Sequence, residues 1–180
     1  MDRIVFYFVV CSFIGWALEV FFKTISNESL DRAGMGKGPY CMAYGIGMVL
    51  LLVLVTEKVD NLFVMYILSS AVCTAFEYIT GVVLEKVFGV VLWEYTKLKF
   101  AINDHICLEF IVLWGFFGIV FLKAVVPFLD KIYYSITSES AVTCLYLLAL
   151  CVIADYAYAG HCLIKAKKAK EEVCIEEKNI

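Results

Sequence analysis

Long apolar runs separated by short polar links dominate the pattern along this chain. Five runs have the length of a membrane span, which is about 17 to 25 residues. They cover residues 4–22, 40–56, 62–84, 106–129 and 141–164. Only helices and closed barrels satisfy all their backbone groups in lipid, and these runs lack the alternation of barrel strands. The pattern therefore predicts an all-α, multi-pass transmembrane helical bundle with about five spans.

Two other stretches have a different pattern. Residues 86–105, KVFGVVLWEYTKLKFAINDH, contain apolar pieces that are too short to cross a bilayer. We predict an interfacial or re-entrant segment here, with Trp93 and Tyr95 at the depth of the lipid headgroups. Residues 165–180 are polar, so the sequence divides into a transmembrane helical domain over 1–164 and a polar cytoplasmic tail over 165–180.

Composition supports lipid as the solvent of this chain. Of the 180 residues, 63% are hydrophobic and 18% charged, and the mean hydropathy is +0.86. A soluble domain of this size does not hide enough surface to bury so many apolar side chains. The many aromatic residues exclude disorder. The net charge of −3 argues against a nucleic-acid partner, so membrane lipid is the expected surrounding.

The distribution of Lys and Arg predicts the orientation, because cytoplasmic flanks carry the excess of these residues. In a five-span topology one side receives eleven of them and the other receives four. The larger set is Lys23, Arg32, Lys37, Lys86, Lys97, Lys99, Lys165, Lys167, Lys168, Lys170 and Lys178, and the smaller is Arg3, Lys58, Lys123 and Lys131. We therefore expect a cell-membrane protein with its amino terminus outside and its carboxyl terminus in the cytoplasm.

Acidic residues inside the apolar runs are the main candidates for function. An ionised carboxylate at the centre of a spanning helix costs about 2.5–3.5 kcal/mol on insertion scales, so such groups avoid lipid. Glu77, Gly81 and Glu85 are spaced by four and share one helix face. We predict that four acids, Glu19, Glu77, Glu85 and Glu109, converge on one substrate or coupling site in the cytoplasmic half, with Trp16 and Trp114 as apolar walls. The alternative is that they only join helices by hydrogen bonds.

A glycine-rich approach precedes the second run, in the sequence DRAGMGKGPYCMAYGIG over residues 31–47. Exposed amides with Arg32 and Lys37 suit an anion or a lipid headgroup, although glycine and proline here are also typical of a tight turn. Enzyme motifs are scarce, and His105 and His161 are interpreted as solvated helix ends. The chain carries no nucleotide-binding signature, so an ATPase, where one acts, is a separate subunit. No cofactor is expected, and the sequence leaves any metal unknown.

Three strings together resemble a known family: GPYCMAYGIG at 38–47, EYITGVVLEKVFGVVLWEY at 77–95 and ICLEFIVLWGFFG at 106–118. They resemble the bacterial ABC-transporter type IV family, also called CmpB-like permease proteins. The matching positions are Gly38, Pro39, Tyr44, Gly45, Glu77, Gly81, Glu85, Trp93, Glu94, Tyr95, Asn103, Ile106, Cys107, Leu108, Trp114 and Gly115. The resemblance implies a multi-pass bacterial membrane protein assigned to transport.

These observations favour a permease-like transporter subunit with an acidic cytoplasmic-half site, working with a separate ATPase or another membrane subunit, or as a homo-oligomer. Two alternatives stay open: a membrane-embedded enzyme acting on lipid, and a scaffold or regulatory subunit. We further predict that the two motif-bearing loops pack on each other and close the acidic site. This cap would contain Gly38, Pro39, Tyr44, Gly45, Trp93, Glu94, Tyr95 and Asn103, with Glu94 paired to Arg32 or Lys37.

Overall fold

Six helices and one small hairpin make up the computed structural model, which describes residues 2–25, 35–56, 59–136 and 138–178. The helices are α1 (Asp2–Ile25), α2 (Met42–Leu51), α3 (Leu62–Val83), α4 (Leu108–Val120), α5 (Val126–Ser135) and α6 (Glu139–Lys178). Wider π-helical turns extend α2 over Leu52–Thr56 and α3 over Leu84–Phe88, and another joins α4 to α5 over Phe121–Val125. Strands β1 (Ala101–Asn103) and β2 (Ile106–Cys107) pair antiparallel.

Within the described residues, four helical stretches are long and apolar enough to cross a membrane. They are Arg3–Ile25, Leu62–Phe88, Leu108–Ser135 and Glu139–Lys170. The prediction of a helical membrane bundle is confirmed. The helical stretches differ from the predicted spans at most of their ends. The third continues past residue 84 to Phe88, and the fourth begins at Leu108, because Ile106 and Cys107 form β2, and continues past residue 129 to Ser135.

The second apolar run is only partly helical. Its helix, Met42–Val55, is shorter than the other four, and fourteen residues rise about 21 Å, whereas a bilayer core is about 30 Å thick. The amide of Cys41 donates to the carbonyl of Ser12 at 2.8 Å, close to the middle of α1. Helix α2 therefore begins beside the middle of α1. The residues before it, 35–41, are not helical.

The last helix is much longer than its apolar run. Forty residues, Glu139–Lys178, form one continuous α6, which corresponds to about 60 Å. Because this is roughly twice the thickness of a bilayer core, about half of α6 lies outside the hydrocarbon. The predicted polar tail is thus helical as far as Lys178.

Small residues let neighbouring helices approach closely, as is usual where lipid replaces water. Gly45 of α2 faces Ser12 and the backbone of Phe8 in α1, and Gly118 of α4 faces Ser69 in α3. The buried apolar core is built mainly by α1, α2, α3 and the π-helical turn before α5. Its members are Phe6, Tyr7, Cys11, Met48, Leu51, Leu52, Val55, Met65, Cys73, Phe121, Leu122, Val126 and Leu129.

Replacing Gly118 with alanine is expected to destabilise the bundle. A Cβ at this position would overlap the Cβ and Oγ of Ser69, and inserting a methyl group into a packed interface costs about 1–2 kcal/mol. Gly47 offers a matched control, because a Cβ there would meet the Phe76 ring at an ordinary 3.6 Å. Thermal unfolding in detergent should show a lower midpoint for Gly118→Ala and an unchanged midpoint for Gly47→Ala. Equal midpoints for the two variants would contradict the described packing of α3 on α4.

An ion pair joins the beginning of α1 to the middle of α5. The Arg3 guanidinium donates to both oxygens of Asp130, each at 2.9 Å. The Tyr7 hydroxyl lies 3.1 Å from the same carboxylate and 2.9 Å from the Val126 carbonyl. This cluster, called here the Arg3–Asp130 clamp, fixes two helices that are more than a hundred residues apart in sequence.

Candidate functional site

The carboxylate of Glu77 lies near the middle of the spanning stretch Leu62–Phe88. The Tyr95 hydroxyl donates to its Oε1 at 2.6 Å, and the Trp114 indole donates to its Oε2 at 2.8 Å. Because α3 continues to Phe88, Glu77 lies about three turns from the end of the helix, rather than the two that the expected boundary at 84 implied. We call Glu77, Tyr95 and Trp114 the Glu77 site.

Tyr95 reaches Glu77 because the segment between α3 and α4 folds back along α3. Glu77 and Phe88 are separated by eleven residues, about 16 Å along the helix axis. Gly89 ends the helix with a φ of 69°, a left-handed conformation that glycine adopts without strain. The Tyr95 amide then donates to the Asp104 carbonyl at 3.0 Å, and the Tyr95 ring stacks on Phe110 at 4.7 Å. Residues 89–107 therefore form a folded-back segment.

The hairpin within this segment depends on Asn103. The Asn103 side-chain oxygen accepts from the His105 amide at 2.9 Å, a local turn that asparagine readily forms. Asn103 pairs with Ile106 across the turn, and the Leu108 amide donates to the Phe100 carbonyl at 3.0 Å. The turn thereby sets the position of His105 and the start of α4.

Burial, followed by the hydrogen bond to Glu77, raises the pKa of the Tyr95 phenol above its ordinary value of 10.0. The phenol is therefore a neutral donor at physiological pH. A group whose pKa is higher in the folded state stabilises that state fully below its unfolded pKa. This contribution of Tyr95 is present at neutral pH and decreases only as the pH rises above about 10.

His105 occupies the face of α3 between the two acids of the ExxxGxxxE motif. Its ring is 94% buried (6% exposed) and lies over Gly81, where a Cβ would come within 2.9 Å of Cγ and Nδ1. The Nε2 atom is 2.9 Å from Oε2 of Glu85, whose side chain is 47% exposed. Among the described residues, Nδ1 has no hydrogen-bond partner. The interpretation of His105 as a solvated helix end is therefore wrong.

Glu19 lies on α1 rather than at the Glu77 site. Its carboxylate is 3.4 Å from the Lys23 ammonium, one turn further along. Tyr44, at the start of α2, packs its ring against Gly15 of α1 and lies near both Glu19 and Glu77. Trp16 is half-buried on α1.

The remaining predicted residues lie further out. Glu109 is exposed in the first turn of α4. The Glu94 carboxylate is exposed and accepts from the Thr96 hydroxyl at 2.6 Å, so the predicted pair with Lys37 is replaced by a local bond. Trp93 is half-buried, and among the described residues its indole nitrogen has no partner. The structure thus brings Glu77, Tyr95 and Trp114 together and leaves Glu109 and Glu94 at the surface.

The non-helical residues before α2 are held by α6. The Asp155 carboxylate accepts from the amides of Lys37 and Gly38 at 2.8 and 3.2 Å, and the Tyr156 hydroxyl accepts from the Met42 amide at 3.1 Å. Pro39 in the same loop is exposed. These bonds satisfy an irregular backbone next to spanning helices, as lipid surroundings require.

The sequence suggested that backbone amides of this loop could bind an anion. The amides of Lys37 and Gly38 donate to the Asp155 carboxylate instead. The Lys37 ammonium lies over the ring of Tyr158 at 5.0 Å. Arg32, the other predicted basic residue of this loop, lies outside the described residues. Tyr44 of the first motif lies near Tyr95 of the second, and whether the two loops form a functional cap stays a prediction.

Sequence reasoning did not predict the contacts of three side chains: His105 with Glu85, and Asp155 and Tyr156 with the loop before α2. The sequence carried one signal for His105. Gly81, a small residue between Glu77 and Glu85, leaves room for another side chain to pack against α3. In the part of the chain that the structure describes, no group of three or more His, Cys, Asp or Glu side chains is placed to hold a metal ion.

Together, these features define a multi-pass helical membrane protein with a carboxylate held inside the bundle by a folded-back segment. The chain belongs to the family described as "Putative ABC-transporter type IV", whose profile matches residues 6–159. The resemblance carried by the sequence motifs is thereby confirmed. No curated protein and no solved structure gives a significant match to the sequence.

Proposed function

We propose that this chain is a permease-type subunit of a membrane transporter, in which Glu77 binds a cation: the coupling ion or the cationic group of a substrate. The single observation that carries the proposal is the convergence of two neutral donors, Tyr95 and Trp114, on one carboxylate inside a spanning helix. Neutral donors orient the carboxylate without cancelling its charge. The site therefore remains attractive to a positive ligand.

The surroundings of Glu77 favour the same ligand charge. Tyr44 lies near both Glu77 and a second carboxylate, that of Glu19, and the aromatic rings of Tyr95 and Phe110 stack beside the site. Aromatic faces attract cations, by about 0.5–2 kcal/mol. A small inorganic cation, a proton or an alkylammonium group fits this chemistry.

Interrupted helices are a second support. In transporters, discontinuous spans place irregular backbone at the binding site. Residues 35–41 lead into the short α2, and residues 89–107 fold back along α3. Residues 35–41 end shortly before Tyr44, and residues 89–107 bring Tyr95 to Glu77, which supports a ligand site beside these two departures from regular helix.

We also propose a separate ATPase as partner, because the family is named for ABC transporters and this sequence holds no nucleotide-binding motif. The proposed orientation places the amino terminus outside and the carboxyl-terminal end of α6 in the cytoplasm. Lys165, Lys167, Lys168 and Lys170 on this helix would then follow the positive-inside rule. Labelling of Cys174 by an impermeant thiol reagent in intact cells would show that the protein has the opposite orientation.

The test is a recording of charge displacement from proteoliposomes on a solid-supported membrane, which detects ion binding without turnover. Concentration jumps of H⁺, Na⁺, K⁺ and methylammonium are applied in turn. We expect at least one cation to displace charge in the wild-type protein, Glu77→Gln to lose at least nine-tenths of that signal, and Glu109→Gln to retain it. A full signal in Glu77→Gln, or no signal with any of the four cations in the wild-type protein, would overturn the proposal.

A scaffold role is the second candidate. It is favoured by the partners that the structure gives to three of the four acids: Glu19 pairs with Lys23, Glu77 accepts from Tyr95 and Trp114, and Glu85 pairs with His105. A scaffold would show the absence of cation response described above, together with an intact fold.

A further inference from the structure

One face of α3 carries small, polar or acidic residues at every fourth position for most of its length. From the middle of the bundle outward the face presents Ser69, Cys73, Glu77, Gly81 and Glu85. Side chains four residues apart are neighbours, with Cβ atoms about 5–6 Å apart. Ser69 is fully buried, whereas Glu85 is 47% exposed. The face thus connects the exposed carboxylate of Glu85 to the half-buried carboxylate of Glu77.

His105 closes the gap between those two carboxylates. Its ring covers Gly81, which is one helical turn from Glu85 and one from Glu77. Its Nε2 contacts Glu85 at 2.9 Å. Its Nδ1 is buried and, among the described residues, without a partner. A buried ring nitrogen without a partner is costly, and here it lies on the face that leads to Glu77.

We propose that Glu85 and His105 form a proton relay that delivers protons from the aqueous side to Glu77. This deepens the proposed function, because it rests on Glu77 as the cation site and names the proton as the cation that reaches it. Histidine suits this role because its two nitrogens can accept a proton on one side and release one on the other near neutral pH.

The proton transfer balances in two steps. Protonated Glu85 gives its proton to Nε2 of a neutral ring that carries hydrogen on Nδ1, which leaves a Glu85 carboxylate and an imidazolium. The imidazolium then releases the Nδ1 proton to the Glu77 carboxylate. Because about one helical turn separates the ring from Glu77, one water molecule bridges this distance. Rotation of the ring then turns the Nε2 hydrogen toward Glu77 and the bare Nδ1 toward Glu85, so that the next proton enters at Nδ1 and leaves from Nε2.

Protonation of Glu77 has a structural consequence at the site. The carboxylate accepts from both Tyr95 and Trp114. A proton weakens it as an acceptor, and a proton on a lone pair that one of these donors uses reverses or breaks that bond. The Trp114 indole can only donate, whereas the Tyr95 hydroxyl can also accept. Proton arrival therefore favours reversal of the Tyr95 bond, which links the relay to the folded-back segment.

Other titratable groups around the ring have separate positions. They are Tyr95 and Asp104 on the folded-back segment and Cys107 on β2, besides Glu77 and Glu85 on α3. Tyr95 is bonded to Glu77, and Cys107 is fully buried. Glu85 is the group among them that the structure joins directly to the ring.

Infrared spectroscopy after a rapid drop in pH tests the relay on the full chain in liposomes. The carbonyl band of protonated Glu77 is assigned by its absence in Glu77→Gln. We expect His105→Asn to slow the appearance of this band at least tenfold while its final amplitude stays the same. His161→Asn, which changes an exposed histidine on α6, should keep the wild-type rate. Added imidazole should restore the rate in His105→Ala, a rescue that a purely structural histidine would not show.

Three results would overturn the relay: a wild-type rate in His105→Asn, no rescue by imidazole, or no protonation band from Glu77. If His105→Ala fails to fold, His105→Gln, which keeps an amide donor beside Glu85, takes its place and must show the same slow rate. The outcome is separable from the transport proposal. Protonation of Glu77 that depends on His105, in vesicles that show no steady flux of any of the four cations, would overturn transport alone. Charge displacement with normal protonation kinetics in His105→Asn would overturn the relay alone.

Discussion

Replacing Glu77 with leucine is expected to release the folded-back segment 89–107 from α3. The substitution removes the acceptor of both Tyr95 and Trp114 at once. Hydrogen bonds to a charged group contribute about 1.5–3 kcal/mol each, and 1.4 kcal/mol corresponds to roughly a tenfold change in an equilibrium constant. Hydrogen exchange of the Tyr95 and Leu108 amides, which are bonded within this segment and to its hairpin, should therefore become at least tenfold faster.

The matched control for this prediction is Glu109→Leu, which changes an exposed acid next to the same hairpin. Its exchange rates should equal those of the wild-type protein. Amides of α1, such as that of Cys11, should stay protected in both variants. Unchanged protection of the Tyr95 amide in Glu77→Leu would contradict the prediction. It would show that the folded-back segment stays on α3 without the Glu77 carboxylate.

Removal of Asp130 should cause the largest loss of thermal stability. Asp130→Ala leaves the Arg3 guanidinium without its bidentate partner at the junction of α1 and α5. Breaking a buried ion pair costs about 3–5 kcal/mol. Because the two side chains are 32% and 22% exposed, we expect about 2–3 kcal/mol. For a chain of this length the melting temperature should fall by about 5–10 °C.

A double substitution distinguishes the lost pair from a general disturbance. Arg3→Met together with Asp130→Leu removes both charges and should recover most of the lost stability, since well-packed apolar residues often replace an ion pair without cost. Lys131→Ala alters an exposed neighbour and should leave the midpoint unchanged. A double variant as unstable as Asp130→Ala alone would refute the clamp as the source of the effect.

Much of the architecture could be predicted from the length of the apolar runs, because lipid imposes a strict relation between helix length and bilayer thickness. That relation failed at the second run. Residues 40–41 are apolar enough to belong to a span, yet Gly38 and Pro39 precede them and Asp155 and Tyr156 bind the adjacent amides. A tertiary contact from α6, more than a hundred residues away, decides that helix begins only at Met42.

The site was predictable in part for a similar reason. The cost of burying Glu77 identifies it as a residue with internal partners, and Trp114 and Tyr95 were recognisable by their motifs. Their convergence on one carboxylate depends on the path of residues 89–107, which no hydrophobic pattern reveals. His105 was missed because a histidine beside a polar turn gives no sign of burial. Glu109 looks equivalent to Glu77 in sequence. Helix α4 begins at Leu108, however, so the side chain of Glu109 lies in the exposed first turn of that helix.

The central claim is that Glu77 binds a cation inside the bundle, and Trp114 can report on it directly because its indole donates to this carboxylate. Trp16→Phe and Trp93→Phe together leave Trp114 as the sole tryptophan. Its fluorescence is followed in liposomes while pH, Na⁺, K⁺ and methylammonium are titrated in turn. We predict a saturable change in emission with at least one of these cations, and no such change when Glu77→Gln is added. Emission that stays constant in all four titrations, or that changes equally in the Glu77→Gln protein, would contradict the claim.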